Sequence, residues 1–163
     1  MSDRGESTSG SAHPFPTRRL YPPVYFLLAL VVMLLLHFIL PVRRLIPPPW
    51  TWLGLLPFVV GGALTVRAAA LFDRLGTPVK PFERSTRLVL EGPYRYTRNP
   101  MYLGMVVVLS GVAIRLGTLS PFVVPPLFAH FIQTRFIVHE EAMMERLFGT
   151  EYLAFKTRVR RWL

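Results

Sequence analysis

Residues Gly92–Gly104, GPYRYTRNPMYLG, hold the boundary on which the reading of the whole chain turns. Upstream of Asn99 the sequence is polar and basic; from Met101 it is apolar for a helix's length. Asn is a good N-cap, because its side-chain oxygen can accept from an unpaired N–H of the first helical turn. Pro100 at the first helical position loses nothing, since the N–H it lacks would have had no partner. The pair therefore predicts a helix start at the edge of an apolar segment. Unpaired N–H groups and a partial positive charge collect there, with Arg95 and Arg98 just before, and such a place suits a carboxylate or phosphate. Spacing alone leaves a second reading open: a well-capped membrane helix with ordinary basic flanks.

Working outward, the apolar residues come in long uncharged blocks, within a chain of 163 residues that is 52% hydrophobic with a mean hydropathy of +0.38. Val24–Leu40 carries no charge and meets the shortest length that spans a bilayer, about 17 residues. A second span is expected over Thr51–Phe72, with Trp50 and Trp52 as an interfacial belt. Gly54, Gly61, Gly62 and Ala63 would let another helix approach closely. Arg67 either snorkels to the nearby interface or points into a polar cavity. Met101–Leu116 and Ser120–Val138 form a third and a fourth span, a hairpin turned at Leu116-Gly117-Thr118. Pro125-Pro126 should distort the fourth span and point to a pocket. His139–Leu163 continues as an amphipathic tail, with Gly149 as a helix stop and Thr150-Glu151 as a new start. The expected fold is all-α: a membrane bundle of about four spans with amphipathic C-terminal helices. Residues 1–19, rich in Ser, Gly and Pro, are expected to be a disordered tail ahead of one domain, 20–163.

The formal charge of +10 does not indicate nucleic acid, because Lys and Arg cluster beside the apolar blocks. Fifteen of the 19 flank one face of the expected bundle, on the N-terminal tail, the 73–99 loop and the C-terminal side. Only Arg43, Arg44 and Arg115 flank the other. The positive-inside rule then places both termini and the 92–104 motif in the cytoplasm. The chain has no cysteine, which excludes disulfides, thiolate nucleophiles and Cys-ligated metals. Its four histidines have no metal-site spacing, so no metal is expected. The adjacent carboxylates Glu140-Glu141 should emerge on the same face as the motif. They would project about 100° apart and so perform different tasks.

The run Arg98-Asn99-Pro100-Met101-Tyr102-Leu103-Gly104, followed after a hairpin by Glu140-Glu141, resembles the signature of membrane methyltransferases. These are the isoprenylcysteine carboxyl methyltransferase and phospholipid N-methyltransferase group. Thr77-Pro78, Leu88-Val89, Gly92-Pro93-Tyr94-Arg95 and Phe148-Gly149-Thr150-Glu151-Tyr152 agree with it, and the resemblance covers roughly residues 73–163. It implies S-adenosylmethionine bound by Tyr94, Arg98, Asn99, Pro100, Tyr102, Gly104, Glu140 and Glu141. Arg98 and Glu141 would be catalytic, and Arg160, from the set Arg158, Arg160 and Arg161, would bind the charge of an anionic acceptor. Asn99 departs from the usual histidine of the pattern, so it positions rather than acts as a base. The implied acceptor is a membrane-embedded, lipid-like molecule, first a prenylcysteine carboxyl group and alternatively a phospholipid amine. Two other readings remain. Sterol reductases carry a similar RNPMY motif and use NADPH, but have many more spans; a non-catalytic protein could keep the same fold.

Overall fold

The computed structural model describes residues 21–74 and 88–163, without the side chains of Phe72 and Asp73. The expected tail over 1–19 and the Thr77-Pro78 and Lys80-Pro81 signals lie outside the described residues. Helix α1 is Pro22–Ile39, α2 Leu55–Arg74, α3 Pro100–Leu116, α4 Val124–Ile132 and α5 Val138–Arg158. Short 3-10 turns precede α2 (Trp50–Gly54), α3 (Gly92–Arg95) and α4 (Ser120–Val123). There is no strand among the described residues, only an isolated bridge between Arg44 and Thr118.

Three stretches are long and apolar enough to cross a membrane: Pro22–Ile39, Trp50–Leu71 and the continuous Ser120–Arg158. The apolar α3 is shorter, at 17 residues. Helix α1 buries Ala29 and Met33 but exposes Leu27, Leu28, Val31, Leu35 and Phe38. A helix that turns most of its large apolar side chains outward is stable only where the surroundings are themselves apolar. The protein is an integral membrane helical bundle.

Helix α3 sits centrally, against α2 on one side and against α4 and α1 on the other. The main core joins Ala29 and Met33 of α1, Leu109 and Ala113 of α3, and Phe128, Ile132, Phe136 and Ile137 from the α4 side. The α2–α3 contact is made differently. Gly54 faces Gly111 and Gly61 faces Gly104, in an antiparallel register two turns apart. A Cβ on Gly61 would stand 2.5 Å from the Gly104 carbonyl oxygen, and one on Gly111 would stand 2.7 Å from that of Gly54. Backbone rests on backbone here, so dispersion and close packing do the work that apolar burial does in water. Thr65 adds a hydroxyl that donates to the carbonyls of Gly61 (2.9 Å) and Met101 (3.3 Å). Gly62, expected in the same contact, instead faces open space.

One expectation about the last span changes. Pro125 and Pro126 lie in the first turn of α4, where a missing N–H is tolerated, rather than in the interior of the span. The irregularity falls later, in a π-helical turn over Gln133–Ile137 that joins α4 to α5. Gly149 (φ 51°, ψ −122°) interrupts α5 in a non-helical conformation that favours glycine, and the chain resumes as helix from Thr150, as the sequence predicts. At the end of the bundle away from the motif, the N–H groups of Leu45 and Ile46 donate to the Gly117 carbonyl (2.8 and 3.1 Å). His37 pairs with Thr118 (2.8 Å) there, a structural role for that histidine.

Candidate active site

The 3-10 turn Gly92–Arg95 delivers the chain to α3 with Tyr94 turned inward against Ala68 and Val89, while Arg95 stays exposed. Burial, with the Glu140 carboxylate nearby, pushes the Tyr94 phenol above its ordinary pKa, so it keeps its proton. Leu88, one residue before Val89, packs with Tyr152, Phe155 and Val159. The Leu88-Val89 pair thus staples the α2 side of the site to the C-terminal helix.

The start of α3 is held by the end of the chain. The Arg98 N–H donates to the Arg160 carbonyl (3.0 Å). The Thr97 hydroxyl (3.0 Å) and the Asn99 side-chain amide (3.1 Å) both donate to the Arg161 carbonyl. Asn99 holds the N-cap position of α3, as expected, but its side chain does not cap the helix; it bonds 62 residues along the chain, and the helix start has no side-chain cap. Thr97, buried and bonded, is a site residue that the sequence reading passed over. The Trp162 indole N–H closes the strap on Gln133 (2.8 Å), in the π-helical turn.

The two carboxylates meet different partners, in keeping with their angular separation. Glu141 accepts from Arg161 Nε (3.1 Å) and Nη2 (2.7 Å), and Arg98 Nη2 lies 3.3 Å from its Oε1. This pair is buried: the Arg98 and Glu141 side chains are 9% and 7% exposed. The hydrogen bond from Arg161 to Glu141 raises the pKa of that guanidinium above its ordinary value and fixes its charge. Glu140 instead accepts from the Tyr102 hydroxyl (2.7 Å) and, among the described residues, has no cation paired with it.

The remaining expected residues are placed as follows. Pro100 is fully buried at the first turn of α3. Gly104 turns its open side to Thr65 and Gly61, so helix packing demands glycine there rather than room for a ligand. Arg160 is exposed, and no side-chain hydrogen bond or ion pair joins it to the described residues. The inward place belongs to Arg161, because the chain is extended from Val159 (φ −121°, ψ 130°), and alternate residues of an extended chain face opposite ways. Val159 and Arg161 then share the inner side.

Arg98 carries the least expected feature. Its Nε and Nη1 are buried and have no hydrogen-bond partner among the described residues. Native proteins seldom leave buried donors unpaired, and a charged donor least of all. An unpartnered guanidinium edge and a carboxylate without a cation, at the same end of the bundle, together fit a ligand bearing both an anionic and a cationic group.

A family model described as phospholipid methyltransferase matches residues 49–151. The chain belongs to the phospholipid methyltransferase family. The match includes α2, α3, the Arg98–Gly104 motif and both carboxylates of this membrane methyltransferase, and stops before Arg161 and Trp162. No curated protein matches the chain. In this methyltransferase the strap that orders Arg98, Asn99 and Glu141 thus lies beyond the matched segment.

Proposed function

We propose that the protein transfers a methyl group from S-adenosylmethionine to the amine of a membrane lipid. The observation that carries this reading is the pairing of unmet chemistry at the site: among the described residues, Arg98 Nε and Nη1 have no acceptor and Glu140 has no cation. An amino-acid moiety, with one carboxylate and one ammonium, satisfies both. The uncapped N–H groups of α3 favour the same carboxylate. The Arg161–Glu141–Arg98 chain holds the Arg98 guanidinium in place, and Tyr102 holds Glu140.

The cofactor supplies a methyl on a sulfonium, so transfer to an amine exchanges one C–S bond for one C–N bond, leaving a neutral thioether and releasing one proton. The protein's part is alignment in a dry site, which for such a displacement supplies much of the rate. The buried Tyr94 and Tyr102 rings exclude water around Glu140.

The family description supports a lipid amine over the prenylcysteine carboxyl group first expected from the sequence. A carboxylate acceptor also needs a cation besides the Arg98 edge that the cofactor's carboxylate takes, and the inward arginine of the tail is already committed to Glu141. The excess of Lys and Arg at the motif end supports a cytoplasmic site.

The test is calorimetric titration of the detergent-purified protein with S-adenosylmethionine, and with NADPH as the competing titrant. Binding should be saturable for S-adenosylmethionine alone and lost in Arg98→Ala. Methyl transfer from labelled cofactor to phosphatidylethanolamine, but not to a prenylcysteine, should follow. An NADPH isotherm without one for S-adenosylmethionine would sink the proposal.

A further inference from the structure

Between α2 and the Gly92–Arg95 turn lies an open cleft of about 380 Å³, within the size range of small-molecule sites. Arg67 and Arg74 stand on its α2 wall, and Glu91, Gly92 and Pro93 form the other. Seven residues separate the arginines, which puts them on one helix face about 10 Å apart along the axis. Arg67 lies within the apolar span Trp50–Leu71, and Arg74 just beyond it. The cleft therefore opens at the depth where lipid headgroups begin. Among the described residues neither arginine makes an ion pair. Two cations facing one cleft, one of them inside an apolar span, call for an anion between them.

We infer that this cleft binds the headgroup of a phosphate-bearing aminolipid, with Arg67 and Arg74 on the phosphate and Glu91 on the amine. The inference rests on the reading of a lipid-amine acceptor and says where that acceptor is held. Charge complementarity selects this occupant. A lone carboxylate would meet the arginines but leave Glu91 without a counter-ion, whereas a zwitterionic headgroup meets all three. The acyl chains have a path along α2, whose Val59 and Val66 are exposed next to the cleft's own helix face. The cleft also adjoins the candidate active site. Leu71 both lines it and packs against Tyr94, which lies within the field of Glu140.

The test measures equilibrium binding of three short-chain lipids to the detergent-purified protein: phosphatidylethanolamine, phosphatidic acid and diacylglycerol. The variants are the double substitution Arg67→Gln/Arg74→Gln and the single Glu91→Gln. Loss of two charge-assisted contacts should weaken both phosphate lipids by about tenfold or more and leave diacylglycerol unchanged. Glu91→Gln should weaken phosphatidylethanolamine alone. S-adenosylmethionine affinity and thermal midpoint, measured on the same samples, should match the parent protein and so exclude misfolding.

Phosphatidylethanolamine binding within twofold of the parent in the double variant would overturn the inference. So would a parent protein that holds diacylglycerol as tightly, or inorganic phosphate at the same site without preference for lipid. Arginine-dependent headgroup binding in a protein that binds no S-adenosylmethionine supports the cleft and removes only the transferase reading.

Discussion

Substituting Glu141 by Ala perturbs the site where its energetics are most exposed to measurement. The carboxylate is 7% exposed and accepts two hydrogen bonds from Arg161 while lying 3.3 Å from Arg98. Truncation leaves the Arg98 guanidinium, itself 9% exposed, without its one anionic neighbour among the described residues. Breaking a buried pair from one side typically costs about 3–5 kcal/mol, because the abandoned charge stays desolvated. Arg161 is a third exposed and can turn to water, so its share is nearer that of a surface pair, below about 1 kcal/mol. The expected loss for Glu141→Ala is therefore about 3–4 kcal/mol. Glu141→Gln, which keeps one acceptor but no charge, should lose about half of that.

The diagnostic comparison is the double variant Arg98→Met/Glu141→Leu, in which no charge is left behind. It should be more stable than either single truncation, with a coupling of at least about 1 kcal/mol. Equilibrium unfolding in mixed micelles, followed by tryptophan fluorescence, reads these differences directly. If Glu141→Ala unfolds within about 0.5 kcal/mol of the parent, or the double variant loses the sum of the singles, the pair is not a buried, coupled unit. The account of why Arg98 points its free edge into the site would then fall with it.

Three further outcomes follow from the same structure. Gly61→Val should prevent α2 from seating on α3 and lower the thermal midpoint in detergent steeply, whereas Gly62→Ala, facing open space, should be neutral or raise stability by up to about 1 kcal/mol. Arg161→Ala should weaken S-adenosylmethionine binding measurably by loosening Glu141 and Arg98, while Arg160→Ala, exposed, should leave the isotherm unchanged. Tyr102→Phe removes the hydroxyl that holds Glu140 and should lower methyl transfer about tenfold or more at unchanged fold, read as labelled lipid formed per minute.

What the sequence made legible was whatever depends on local pattern. The apolar blocks, the hairpin at Gly117 and the bend at Gly149 answer to residues close by, and each lies where expected. Pro125-Pro126 misled because the helix register was set one turn later than the apolar block suggests, which moved the prolines into a first turn that tolerates them. Asn99 misled for a different reason. Its capping geometry competed with the Arg161 carbonyl, 62 residues away, and local propensity has no knowledge of such a partner. The inward turn of Arg161 rather than Arg160 was hidden the same way, because nothing before Val159 announces that the chain becomes extended there.

The placements of Asn99 and Arg161 share one origin, and it bears on how the site is built. The last residues of the chain lie across the start of α3, with the carbonyls of Arg160 and Arg161 taking up donors from Thr97, Arg98 and Asn99. With those donors taken up, the Arg98 side chain is fixed while two of its nitrogens stay unspent. A motif that had capped itself locally, through the Asn99 oxygen, would have covered the α3 N–H groups that an anionic ligand can use. By satisfying Asn99 from a distance, the strap leaves the helix start open and the arginine edge free at once. The readiness of the site thus belongs to the packed tail as much as to the motif that first marks it in the sequence.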